Sequence, residues 1–145
     1  MEKQTFKVSI NADRKKVWNT LWNDKTYREW TSAFSEGSHA ETDWKKGSKV
    51  FFLNEQKEGM VATIAENRPN EYMSIKHQGT VKNGVEDIYS EESKKWSGGM
   101  ENYSLIDKDG KTELVVDMDI IDEYKDYFMN TWPKALEKVK EIAEK

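Results

Sequence analysis

His77 is the residue of this sequence best suited to acid–base chemistry, because a neutral imidazole can give or accept a proton near neutral pH. Apolar and polar residues alternate around it, so on a strand His77 shares one face with Met73 and Ile75. In a later candidate strand, Glu101 shares a face with Tyr103 in the same way. A buried carboxylate beside an imidazole forms either a polar anchor for a ligand or a proton-transfer pair.

His77 and Glu101 are therefore the candidate catalytic residues, and their alternative role is that of hydrogen-bonded structural groups. Their spacing in the sequence does not decide whether the two side chains meet. The other histidine, His39, lies beside Glu41 in a short early strand and is expected at the surface. The sequence has no serine nucleophile elbow, no phosphate-binding loop and no histidines at metal-ligand spacing. No particular reaction and no metal site is predicted.

Large rings and thioethers form a second group with a chemical use, because they suit an apolar guest. They can line a ligand cavity or fill a core completely, and periodicity does not distinguish the two. Met100 and Met118 belong to this group. The residues that we predict to bind a ligand are Trp30, Phe34, Met60, Met73, Ile75, His77, Trp96, Glu101, Tyr103, Phe128, Trp132 and Leu136.

The element that must cover these residues is a long C-terminal helix. From Ile121 to Ala143, apolar and aromatic residues recur at steps of three and four, which predicts one helix with a continuous apolar stripe. Pro133 falls inside the stripe, so the helix either bends or restarts there. We expect a bend, because Phe128 and Trp132 stay on one face across the proline.

Short strands precede this helix. Gln4 to Ile10 alternates as a first strand, Arg14 to Asn23 forms a helix, and a second helix begins at Thr26 with a capping box and stops before Gly37. The remaining strands are predicted at Ser38 to Asp43, Lys49 to Asn54, Gly59 to Glu66, Glu71 to Gln78, Met100 to Asp107 and Lys111 to Ile120. The predicted class is α+β: a curved seven-stranded antiparallel sheet, in the order β-α-α-β6-α, wrapped around the C-terminal helix.

Two stretches of the predicted sheet need separate interpretations. Gly79 to Gly99 is polar and poorly periodic, which is typical of a mobile lid or an extended, twisted hairpin. Asp117 and Asp119 share a strand face, and we interpret that face as solvated rather than as a carboxylate pair.

Composition excludes several classes of protein. The absence of cysteine rules out disulfides, thiolate catalysis and cysteine-ligated metal sites. The net charge of −4 and the scattered basic residues argue against a nucleic-acid partner. There is no run of about 18 apolar residues and no signal-peptide pattern. We therefore expect a cytoplasmic monomer, one domain over residues 1–145, with no cofactor and no membrane insertion.

Several local patterns along the chain form a recognisable set. They are Val17-Trp18, Leu21-Trp22, Tyr27, Trp30, Phe34, Gly47, Gly59-Met60, Glu71-Tyr72-Met73, Glu101-Asn102-Tyr103 and Trp132-Pro133-Lys134-Ala135-Leu136. Together they resemble the START-like superfamily. More narrowly, they are similar to bacterial stand-alone proteins of the activator of heat-shock protein 90 ATPase homologue family. The resemblance covers essentially the whole chain.

The resemblance implies a helix-grip fold, and many superfamily members hold an apolar ligand between the sheet and the long helix. The function it favours is binding of a small apolar or aromatic molecule. The alternative is an interaction module that assists a chaperone or another protein, with Gly79 to Gly99 as the contact. A third reading is a cyclase- or hydrolase-type enzyme in which His77, with Glu101 or Tyr103, performs acid–base work.

Overall fold

The computed structural model describes residues 1–145. The fold consists of one antiparallel sheet of eight strands and four helices. In chain order the elements are β1 (Glu2–Ile10), α1 (Arg14–Trp22), α2 (Asp24–Thr31), β2 (His39–Glu41), β3 (Lys49–Leu53), β4 (Gly59–Arg68), β5 (Tyr72–Lys82), β6 (Val85–Asp87), α3 (Glu91–Trp96), β7 (Met100–Lys108), β8 (Lys111–Ile120), a 3-10 turn (Asp122–Tyr124) and α4 (Lys125–Ala143).

The strand order across the sheet is β1-β8-β7-β5-β4-β3-β2, and β6 pairs with β5. The first part of β5 pairs with β7, from Tyr72 opposite Ser104 to Lys76 opposite Met100. Its last part pairs with β6 instead. Register shifts interrupt the β4–β5 pairing, and such irregularities bend a strand. The curved antiparallel sheet with a long C-terminal helix is the fold class that the sequence predicts.

The helix α4 closes the concave face of the sheet through its apolar stripe. Trp132, Leu136 and Val139 are buried, and the ring of Trp132 stacks on Phe6 of β1 with centroids 5.8 Å apart. The helix runs without interruption from Lys125 to Ala143 with Pro133 inside it. The two alternatives at Pro133 were a bend and a restart, and the uninterrupted helix excludes the restart.

The helix α2 begins at Asp24, two residues before the predicted start. The Asn23 side chain caps the N-terminus by accepting a hydrogen bond from the backbone N–H of Lys25. Asparagine is a strong N-cap residue, so this local bond prevails over the capping box that begins at Thr26.

The stretch from Gly79 to Gly99 holds a hairpin followed by a helix. Asn83 and Gly84, both with positive φ, turn the chain between β5 and β6; Asn-Gly favours such two-residue turns. The short helix α3 follows, capped by Ser90, whose side chain accepts from the backbone N–H of Ser93. The sequence prediction lacks α3 and β6, because six and three residues are too few to give a periodic signal.

Candidate functional site

A pocket of about 770 Å³ lies between the concave face of the sheet and the helices α2, α3 and α4. Twenty-five residues line it. They come from α2 and the segment after it, from the strands β3, β4, β5, β7 and β8, from the loop between β3 and β4, from α3, and from the N-terminal half of α4 with the 3-10 turn before it.

Aromatic rings make up much of the pocket wall. Trp132 of α4 packs edge-on against Phe34 with ring centroids 4.9 Å apart, and Phe128 packs against Trp96 of α3 at 6.2 Å. Edge-to-face pairs at such distances are a favourable arrangement for aromatic rings. The walls are therefore held by their own packing. The aromatic lining residues are Tyr27, Trp30, Phe34, Phe52, Trp96, Tyr103, Tyr124, Tyr127, Phe128 and Trp132.

Three polar side chains on the sheet meet at the pocket. The Nε2 atom of His77 lies 3.0 Å from Oε1 of Glu101, and the hydroxyl of Tyr103 donates to Oε2 of the same carboxylate. The exposed fractions of the His77 and Glu101 side chains are 3% and 12%. Glu101 thus receives a hydrogen bond on each oxygen while still forming part of the pocket wall.

The second ring nitrogen of His77, Nδ1, is buried and has no hydrogen-bond partner. Because Nε2 is engaged by Glu101 and Nδ1 has no accessible surface, the ring offers the pocket no free nitrogen. In this arrangement His77 supports the carboxylate rather than exchanging protons with a guest. The indole N–H of Trp132 is also buried without a partner.

The two tyrosines near this carboxylate remain protonated over a wide pH range. Burial, followed by the negative charge of Glu101, raises the pKa of Tyr27 well above its ordinary value. The same two causes, in the same order, raise the pKa of Tyr103. Both hydroxyls are therefore neutral hydrogen-bond donors at neutral pH.

The exposed part of the pocket wall is held by contacts between the helices and the loop that follows α2. The hydroxyl of Tyr127 on α4 donates to the backbone carbonyl of Phe34. The ammonium of Lys95 on α3 pairs with Glu123 in the 3-10 turn. The charged wall residues here are Glu58, Lys82 and Glu92.

Nine of the twelve residues predicted to bind a ligand line the pocket. The other three, Met73, Ile75 and Leu136, lie in the core and are at most 2% exposed. Of the two further methionines, Met118 lines the pocket and Met100 does not. The nine lining residues are Trp30, Phe34, Met60, His77, Trp96, Glu101, Tyr103, Phe128 and Trp132.

Tyr27 and Phe52 also line the pocket but are not among the residues predicted to bind a ligand. A signal existed for Tyr27, because it lies three, four and seven residues before Trp30, Thr31 and Phe34, all of which line the pocket. Residues at this spacing share one face of a helix. Phe52 had only a weaker signal, since it sits next to Phe51 in a strand that is apolar on both faces.

The two other polar predictions have simple structural outcomes. His39 is partly exposed, and its ring bonds the carbonyl of Gly37 and the carboxylate of Glu41. On the outer face of the sheet, Asp117 accepts from the Asn102 amide and Asp119 accepts from the backbone N–H of Met100. Both aspartates are partly buried, so that face is hydrogen-bonded as well as solvated.

The family model for Activator of Hsp90 ATPase homolog 1-like protein matches residues 11–144. The chain belongs to this family. The match confirms the resemblance seen in the dispersed aromatic positions of the sequence. A comparison with curated proteins gives no match. No helix of the structure combines the length and the apolar composition needed to cross a bilayer.

Solved structures share this fold at low sequence identity. Protein MLL2253 from Mesorhizobium loti is 12% identical with a TM-score of 0.76, and the alignment covers 97% of this chain and 96% of that one. The Aha1 dimer from Colwellia psychrerythraea is 15% identical with a TM-score of 0.71, covering 99% and 97%. DynU16, from the dynemicin biosynthetic locus, is 9% identical with a TM-score of 0.69, covering 97% of this chain and 46% of that one. At these identities the likeness shows the fold alone.

Proposed function

We propose that the protein binds a small apolar or aromatic molecule in the pocket between the sheet and α4. The observation that supports this most directly is the pocket itself. Its volume of about 770 Å³ lies within the range of roughly 300–1,000 Å³ that is usual for small-molecule sites. The family to which the chain belongs is consistent with this role.

The chemistry of the walls also favours such a guest. Ten of the 25 lining residues are aromatic, and each square ångström of apolar surface removed from water contributes about 25 cal/mol. Glu101 and the hydroxyl of Tyr103 place a small polar group inside this apolar environment. Mostly apolar pockets with a few fixed polar groups are typical of ligand sites, because the polar groups orient the guest.

Filling the pocket tests this function. Met60, on β4, is half-buried and lines the pocket, so Met60→Trp places an indole where the guest would lie. Met129, on α4, is 40% exposed and does not line the pocket, so Met129→Trp is a control that adds the same ring. In calorimetric titrations with 2-naphthylmethanol, we expect Met60→Trp to weaken binding about tenfold or more, as steric exclusion from a packed site does. Met129→Trp should leave the affinity unchanged. If both variants bound 2-naphthylmethanol with equal affinity, the binding site would lie outside this pocket.

An interaction module is the second candidate, and the exposed residues of the hairpin region favour it. Val85, Ile88 and Tyr89 are 68%, 41% and 79% exposed. Neighbouring exposed apolar residues often mark contact sites. If the protein acts on a chaperone through this patch, adding it to purified bacterial heat-shock protein 90 should raise the ATPase rate. Tyr89→Ser should reduce that effect, and the control Ser104→Ala should not. An unchanged ATPase rate with the wild-type protein would remove this candidate.

A further inference from the structure

The charges on the pocket wall are mostly negative. Three carboxylates line it, from Glu58, Glu92 and Glu101, against the single ammonium of Lys82. Glu58 and Lys82 are solvent-exposed and Glu92 is partly exposed, so water and salt screen these three charges. Glu101 differs because its side chain is only 12% exposed. Its charge therefore dominates the interior of the pocket.

The hydrogen bonds of Glu101 leave that charge uncompensated. A doubly protonated His77 would bury an N–H donor at Nδ1, which has no partner, and a buried unpaired donor on a charged group is costly. This geometry favours a neutral ring whose Nε2–H donates to Glu101. The second donor, the Tyr103 hydroxyl, is neutral as well. A carboxylate has about four acceptor positions, so two neutral donors leave Glu101 with spare acceptor capacity.

Aromatic faces add to the attraction for a cation. The ring centroids of Trp30 and Tyr103 are 6.5 Å apart, and Phe52 lies 6.0 Å from the ring of His77. All four residues line the pocket. The face of an aromatic ring is negative and attracts ammonium groups, more strongly where water is excluded. Rings around a buried carboxylate suit an organic cation better than a neutral molecule or an anion.

We propose that the pocket selects guests that carry a cationic amine on an apolar or aromatic body, with the ammonium group seated against Glu101 and the body among the rings. This inference rests on the proposed function. It concerns the charge of the guest, whereas the proposed function concerns only its size and apolar character.

Three naphthalene probes of matched size test the charge preference by calorimetric titration of the wild-type protein at pH 7: 2-naphthylmethylamine (cation), 2-naphthylmethanol (neutral) and 2-naphthoate (anion). We expect the cation to bind about tenfold or more tightly than the neutral probe, since cation–π and ion-pair contacts in a desolvated site contribute on that scale. The anion should bind most weakly.

Glu101→Gln removes the charge while keeping the size of the side chain. It should weaken binding of the amine about tenfold and weaken binding of the alcohol clearly less, because a side-chain amide can still hydrogen-bond a hydroxyl group. The control is Glu137→Gln, which neutralises an exposed carboxylate on α4 outside the pocket and should change neither affinity. If Glu101→Gln does not fold, as judged by circular dichroism, the wild-type order of affinities decides the question alone.

The outcomes separate the two proposals. Equal binding of the alcohol and the amine, or tightest binding of the naphthoate, would overturn the charge preference and leave the proposed function standing. Absence of binding by all three probes would overturn both. Preference for the amine that persists in Glu101→Gln would also overturn the assignment, because the preference would then come from another group.

Discussion

The strands β5 and β7 carry hydrogen-bonded polar side chains on both of their faces, and the two sets differ in one respect. On the outer face, the Ser74 hydroxyl donates to Oδ1 of Asn102, and the Asn102 amide donates to Asp117. On the inner face, His77 and Tyr103 donate to Glu101. Every outer member has its partners, whereas the inner set leaves Nδ1 of His77 without one.

The alignment of the side chains across the strands explains why the outer set is fully hydrogen-bonded and the inner set is not. Ser74 is directly opposite Asn102, and Asn102 is directly opposite Asp117, so strand pairing aligns the outer chain. On the inner face, Glu101 lies opposite Ile75, and the bond to His77 is diagonal. The outer set thus works as a cross-strand ladder that stabilises the sheet. The inner set ends at a pocket, where the spare acceptor positions of Glu101 are available to a guest.

The largest expected effect comes from opening the inner face. Trp132 is 2% exposed and stacks on Phe6. Trp132→Ala should lower the free energy of unfolding by about 3–5 kcal/mol in urea denaturation, through lost transfer energy and the resulting cavity. Lys134→Ala, at an exposed position of the same helix, is the control and should change it by less than about 0.5 kcal/mol. A neutral Trp132→Ala would contradict the docking of α4 on the sheet.

A change on the outer face should affect stability and not binding. Asn102→Ala leaves the Ser74 hydroxyl, on a residue that is 4% exposed, without its acceptor. We expect the free energy of unfolding to fall by about 1–3 kcal/mol, the usual cost of a buried unsatisfied group. Affinity for 2-naphthylmethylamine should stay within about twofold. The matched inner change, Glu101→Gln, should instead weaken binding of this amine about tenfold, and loss of binding in Asn102→Ala would show that the faces are coupled.

High pH should destabilise the inner face specifically. The pKa values of Tyr27 and Tyr103 are raised in the folded protein from an ordinary value of 10.0. Above about pH 10 the unfolded chain loses these protons while the folded state retains them, so stability falls as the pH rises. Below about pH 10 both tyrosines are protonated in the folded and the unfolded state, so their contribution to the free energy of unfolding is fully present. We would measure the free energy of unfolding in urea between pH 8 and 11. In Tyr27→Phe it should decline less steeply with pH than in the wild type. The control Tyr72→Phe should show the wild-type decline. An identical slope in Tyr27→Phe would contradict the burial argument.

The smallest effect belongs to the solvent-exposed end of the outer ladder. The Nζ atom of Lys3 lies 4.0 Å from Oδ1 of Asp117, and the Lys3 side chain is 62% exposed. Exposed ion pairs contribute little, so Lys3→Ala should lower the free energy of unfolding by no more than about 0.5 kcal/mol, and added salt should remove the difference. A larger, salt-independent loss in urea denaturation would show that the ladder depends on this pair.

Elements with strong periodicity could be predicted from the sequence. The apolar stripe of α4 continues across Pro133, and β8 has its predicted bounds of Lys111 to Ile120. The helix α3 had the local signals of a helix, with Ser90 as N-cap, acidic residues in its first turn and basic ones in its last. These signals are easily passed over in a segment with no apolar repeat.

The site was harder to predict than the fold. The strand faces of His77 and Glu101 follow from alternation alone, but their contact depends on the register of β5 on β7, which alternation leaves open. Nor does a pattern of apolar residues tell a filled core from a hollow one. Met60 and Phe128 line the pocket while Met73 is buried beside it, although all three have the same apolar character in the sequence.

The six tryptophans provide the most direct test of the ligand site. Trp30, Trp96 and Trp132 line the pocket, whereas Trp18, Trp22 and Trp44 do not. Their indole N–H signals can be followed in ¹⁵N–¹H correlation spectra during titration with 2-naphthylmethylamine. Saturable shifts in the first three signals, with the other three unchanged, are the result we predict. Saturation without shifts in any of the first three, or no shifts at all, would contradict a ligand site between the sheet and α4.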